Sequence, residues 1–181
     1  MRNVLLISED TLRSNSELSD NIWGKNVLPA IRTSQDIALQ GFIGSCLYEK
    51  LLDLVADGSI QDQENVAYKD LLDDFVQPFL IEQVLADITP IVESKLANLG
   101  VYKSRTDYAD NVPASEVERF QYRHIVNADF YAKRMQNFLK AHRDAYPELD
   151  CCGCGADIKP NLESAEEVSI FLGGNRGRII R

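Results

Sequence analysis

The chain has 181 residues, 45% of them hydrophobic, so it can bury one sizeable core, while two full domains would be crowded. A formal net charge of -9 and a pI of about 4.7 argue against a duplex-binding module, which neutralises phosphates with clustered Lys and Arg. The same acidity suits a wall that DNA slides past, because a repelling surface does not retain phosphate, and it suits an ordinary soluble protein equally.

The opening MRNVLLISED holds an apolar run, Val4 to Ile7, too short for a signal-peptide core. No stretch approaches the roughly 18 apolar residues of a membrane span, so the expectation is a chain made in the cytoplasm with no membrane partner. Ser8 precedes Glu9, Asp10 and Thr11 and is placed to cap a short helix whose acidic first turn suits the helix dipole. Polar SNSELSDN ends that helix. Trp23 follows as a lid on the core or an exposed anchor, the lid being preferred.

From Asn26 to Gly58 apolar residues recur at helical spacing through Ile31, Leu39, Ile43, Leu47 and Leu51, with Pro29 tolerated in a first turn and Gly58 as the stop. Gly41 and Gly44 mark either a break or close helix packing. A second helical stretch begins at or near Asn65 and ends at Gly100, cut by Pro78 and Pro90 into two or three pieces. The piece from Pro78 to Ile88 is apolar on most sides and is the expected core helix.

After Gly100, VYKSRTDYADNVPAS reads as a loop. Ser115, with Glu118 in capping-box position, opens a helix that meets no glycine or proline until Pro147 and is about 40 Å long. An antiparallel partner within the domain is expected for it. From Pro147 onward the chain is glycine-rich and has no helical face. Short β segments are expected at Val168 to Leu172 and Arg178 to Ile180, hinged at Gly173 and Gly174. The expected fold is mainly α: a compact helical bundle with one long helix and an extended C-terminal tail with short β segments. It divides into a helical domain over 1–146 and an arm over 147–181.

Of four cysteines, Cys46 stands apart and Cys151, Cys152 and Cys154 crowd together, which is not the pattern of a secreted disulfide scaffold; reduced thiols are expected. The cluster, with His142 as a possible fourth ligand, is a zinc candidate. Its spacing fits a structural knuckle poorly, and thiols in a loop are the preferred reading. The two histidines, His124 and His142, lie about 27 Å apart by helix rise and cannot share a site within one chain. GGNRG lacks the Lys-Ser/Thr of a phosphate loop, and Asp73-Asp74 and Glu166-Glu167 read as solvated charge. The residues point to no enzyme and no cofactor.

The segments LISEDTLRSNSELSDNIWGKNVLPAIRTSQDIALQGFIGSCLYEKL, LLDDFVQPFLIEQVL, YRHIVNADFYAKRMQNFLK and IFLGG together resemble the head-tail connector, or neck ring, proteins of tailed phages infecting Bacteroidales, the crAss-like group included. The resemblance implies a small helical head-completion adaptor that forms a homo-oligomeric ring, usually twelvefold. It docks beneath the portal protein beside other neck or tail rings, and genomic DNA passes through without sequence-specific binding. The implied location is the virion neck, at the head-tail junction.

A ring gives the closing IFLGGNRGRIIR a role, because each subunit can reach one neighbour in the same sense until the ring closes. Phe171 and Leu172 are then the expected apolar anchors, and Arg176, Arg178 and Arg181 the expected intersubunit charge contacts. Truncation after Pro160 is expected to leave a folded monomer that does not assemble. Two other readings remain open: a regulatory or adaptor domain outside the virion that binds a phage or host protein, and a small metal-dependent protein using the cysteine cluster.

Overall fold

The computed structural model describes residues 4–16, 24–97, 100–103, 114–150 and 158–162. Over these the chain is mainly helical. Trp23 and the two expected tail segments, 168–172 and 178–180, lie outside the described residues.

Helix α1 (Glu9–Ser14) starts where the Ser8 side chain accepts the Thr11 N–H at 2.9 Å, with Glu9 and Asp10 at its positive end. Six residues are too few for a helix to stand alone, so tertiary contacts must hold it. Leu12 is fully buried. Just upstream, the buried side-chain amide of Gln35 accepts from Leu6 N–H at 3.1 Å and donates to Val4 O at 3.0 Å, standing in for a neighbouring strand.

Gln35 lies in a π-helical turn, Ser34–Leu39, that joins α2 (Gly24–Thr33) to α3 (Gln40–Asp57). The wider turn brings Ser34, Gln35 and Leu39 inward together. Because α2 begins at Gly24, Pro29 falls in its second turn, not its first.

Gly44 breaks α3, at φ 78° and ψ 160°, a conformation that only glycine adopts at low cost. Residues 158–162 fill the break. Ser45 N–H donates to Ile158 O at 3.0 Å, and Asn161 N–H donates to Phe42 O at 3.1 Å. Pro160 lies so close that a Cβ on Gly44 would sit 2.7 Å from its Cδ. Gly44 is therefore both a break and a close contact, whereas Gly41 has open space around it. At the other end of α3, Gly58 takes the left-handed conformation of a helix stop.

Two 3-10 turns, Ser59–Gln61 and Gln63–Asn65, lead into α4 (Val66–Leu71), a second π-helical turn (Leu72–Val76) and α5 (Gln77–Glu93). Instead of pieces cut at Pro78 and Pro90, this is one helical run containing both prolines. Proline has no N–H for the carbonyl four residues back. Those two carbonyls find donors on α6 (Ala114–Ala141): Arg134 Nη1 donates to Asp74 O at 3.3 Å, and Gln121 Nε2 donates to Ala86 O at 3.1 Å. A partner helix supplies what each proline removes.

The run leaves helical geometry at Glu93, short of the expected Gly100. Strands β1 (Ser94–Ala97) and β2 (Gly100–Lys103) pair antiparallel instead, Ser94 opposite Lys103 and Ala97 opposite Gly100. Pro90 weakens the last helical turn, and the hairpin gives the backbone other partners, including residues 101–103 that read as loop. Helix α6 begins at Ala114, so Ser115 is its second residue, not its cap. It spans about 42 Å and runs antiparallel to α5, as expected.

Every helix contributes to one core, in which Phe42 meets Phe79 edge-on at 5.3 Å and Phe75 stacks on Phe138 at 4.1 Å. The expected core helix does its part: Phe79, Leu80, Val84 and Ile88 of α5 are buried. Beyond α6, buried Tyr146 donates its hydroxyl to Ala67 O at 2.9 Å, and Tyr68 donates to Glu148 Oε1 at 2.9 Å. Burial pushes the Tyr146 hydroxyl up to about 12, with Asp70 adding to it. Leu149 and Leu162 belong to the same core, so the described parts of the expected arm, 147–150 and 158–162, pack on the bundle.

Candidate functional site

Helices α5 and α6 meet through small residues and a polar seam. Ala128 and Ala132 are buried on the side of α6 that faces α5, which lets the two backbones approach closely. Between them and the helix start, buried His124 donates from Nδ1 to Glu82 Oε2 at 2.6 Å, and Asn127 Nδ2 donates to the same oxygen at 3.2 Å. Phe120 packs against the His124 ring at 4.5 Å, under the Arg123 guanidinium at 4.8 Å.

A turn further along α5, Asp87 accepts from Gln83 Nε2 at 3.0 Å and lies 2.7 Å from Ser34 Oγ. Ser34 Oγ is also 2.9 Å from Ala30 O. One hydroxyl hydrogen cannot serve both acceptors. A protonated Asp87 donating to Ser34, with Ser34 donating to Ala30, satisfies all three groups. Burial pushes the Asp87 carboxyl above the usual aspartate range, against the opposing pull of Ser34 and Gln83. These side chains bridge the Ser34–Leu39 turn, α5 and α6, and so set the register of the helices.

The opposite side of α6 is different. Tyr122, Val126 and Phe130, at i, i+4 and i+8, form one stripe and are 64%, 47% and 63% exposed. Arg119, Lys133 and Lys140 share that phase of the helix and are exposed too. From 119 to 140 the chain carries five Lys and Arg against one acid, Asp129, half-buried at the edge of this face one turn before Lys133. An acidic protein thus presents a basic, aromatic strip along its longest helix.

Its acidic counterpart runs from 49 to 74, with eight Asp and Glu against two Lys. Glu49 and Asp53 are exposed one turn apart on α3; Glu64 and Asp70 are exposed around α4, on either side of Val66, itself 49% exposed. Phe75, which stacks on Phe138 of α6, marks the inward side of the α4 run. Val66 and Asp70, on the α-helical part of that run, are exposed.

Phe171, Leu172, Arg176, Arg178 and Arg181 lie outside the described residues, as do Cys151, Cys152 and Cys154. Cys46, half-buried on α3 two residues past the Gly44 break, is a disulfide cysteine, which overturns the reduced state expected for it. Spacing along the chain could not show this, because the folding back of 158–162 onto that part of α3 is a tertiary event. His142 is exposed past the end of α6, its Nδ1 2.9 Å from Phe138 O. Among the described residues no three His, Cys, Asp or Glu side chains group as metal ligands, and no helix is long and apolar enough to cross a membrane.

The stripe on α6 is the feature the sequence reading missed. Tyr122, Val126 and Phe130 lie within the long helix expected from Ser115 onward, to which the sequence alone assigns no outer face. The available signal was phase: they share it with cations, while the opposite phase holds the small Ala128 and Ala132.

The described residues define a mainly helical domain built on an antiparallel helix pair, with a basic aromatic strip on its outer surface. The chain belongs to DUF6712, a family of unknown function, which matches residues 39–158. The match contains the α5–α6 pair, the strip and the acidic corner. Neither a curated protein nor a solved structure matches the chain.

Proposed function

We propose that this chain is a structural virion protein of a tailed phage, forming a ring in the neck between portal and tail that seals the head and lines the DNA conduit. The observation that carries the reading is the exposed Tyr122, Val126 and Phe130 stripe: contiguous apolar side chains on a rigid helix favour burial against a partner. Two of the segments that resemble neck ring proteins, LLDDFVQPFLIEQVL and YRHIVNADFYAKRMQNFLK, form the helix pair that supports this stripe.

The acidic composition suits a conduit that genomic DNA passes without being held. The ring is homo-oligomeric and twelvefold in this proposal, as the resemblance implies, with the portal and other neck or tail rings as its neighbours. Residues 163–181 follow Leu162, which is anchored in the core, and would span at most about 65 Å if fully extended. That reach lets Phe171 and Leu172 anchor on an adjacent subunit, or on the ring above or below, while Arg176, Arg178 and Arg181 meet acidic surface.

Immunogold electron microscopy of purified virions, with antibody against this chain, tests the proposal. Label confined to the head-tail junction is the expected result. Virions without label, with the protein left in the lysate supernatant, would overturn it in favour of an adaptor that never enters the particle.

A further inference from the structure

We infer that the outer face of α6 is one half of a head-to-tail contact between copies of this chain, and that the acidic corner around Val66 on the next copy is the other half. The inference rests on the ring reading and specifies the surfaces that close the ring. Three observations lead to it. The two surfaces are opposite in charge: Arg119 and Lys133 flank the α6 stripe, whereas Glu64 and Asp70 flank Val66. Each has an exposed apolar centre, Val126 and Phe130 on one and Val66 on the other, so docking would bury apolar groups inside a rim of paired charge.

The third observation is that neither surface is covered within the molecule. The α6 stripe lies opposite the face that packs on α5, and both the stripe and the Val66 corner stay exposed in the folded chain, so neither covers the other. A copy that uses its stripe on one neighbour leaves its corner open to the next, and such heterologous contacts close rings or extend filaments. The segment 163–181 is a poorer occupant of the strip, since Arg176, Arg178 and Arg181 would meet cations there.

The test is mass photometry of the full chain over a concentration series, at low and high salt. Phe130→Ser and Lys133→Glu alter exposed side chains, so circular dichroism should stay that of wild type. Each is expected to weaken self-association about thirtyfold or more if it sits at the centre of the contact. Asp70→Lys should do the same from the other side. Lys133→Glu mixed with Asp70→Lys should form pairs that neither forms alone, because one intact stripe then meets one intact corner.

Unchanged assembly in all three variants overturns the inference while leaving a neck location to the immunolabelling. A wild-type chain that stays monomeric also overturns it, again without deciding location. Loss of binding to a short DNA duplex in Lys133→Glu, with self-association intact, would assign the strip to nucleic acid and overturn it as well.

Discussion

A methyl group added at position 44 would meet Pro160 Cδ at 2.7 Å and Pro160 N at 2.8 Å, on a backbone whose φ of 78° already disfavours any side chain. Gly44→Ala should therefore destabilise the fold by about 3 kcal/mol or more, read as a lower urea midpoint, while Gly41→Ala, with open space around it, should change little. Asp87 gives a residue-level prediction in pH. Its folded carboxyl holds a proton more tightly than the unfolded chain does, so its contribution to stability is greatest near its ordinary, unfolded value and falls as pH rises through the raised folded one. Asp87→Asn does not titrate and keeps both a donor for Ser34 and an acceptor for Gln83. The stability of wild type relative to Asp87→Asn should thus decline as pH rises from about 4 toward neutrality. Parallel urea curves across that range check it, and a constant difference would show that folding leaves the titration of Asp87 unchanged.

At the scale of elements, legibility depended on whether the signal was local. Ser8 as a cap, Gly58 as a stop and the buried stretch from Pro78 to Ile88 were readable, because caps, stops and apolar runs act within a few residues. The prolines misled for the same reason: their cost is local, but Arg134 and Gln121 arrive from a helix some tens of residues away. The segment 158–162 was unreadable as part of the bundle, having no helical period. It nevertheless carries the Ser45 and Phe42 hydrogen bonds, an Asn161 carbonyl that accepts from Gln136 Nε2 at 2.7 Å, and buried Leu162. The cut after Pro160, expected to leave a folded monomer, would remove Asn161 and Leu162. It should lower stability by about 3 kcal/mol, from lost apolar burial and two lost hydrogen bonds. Thermal melts of chains ending at 160 and at 162 compare the two directly: only the shorter should melt early.

For the whole molecule, the same cut made after Leu162 separates folding from assembly. A chain ending there keeps every core residue among those described and should melt with the full-length protein. In the proposed ring it loses Phe171, Leu172 and the three tail arginines, so sedimentation should show a smaller assembly; an assembly of unchanged size would remove the tail from the contact. The charge of the whole chain is uneven: cations concentrate along α6 and acids between 49 and 74. The sequence by itself determined that the protein is acidic, mainly helical and built around one long helix, because charge, period and the absence of breakers between Ser115 and Pro147 are properties of the chain. Only the tertiary structure decided that two prolines could stay within a helix, that residues 158–162 close the break at Gly44, and that Tyr122 and Phe130 point outward. Each depends on which groups from distant parts of the chain meet, and packing alone settles that.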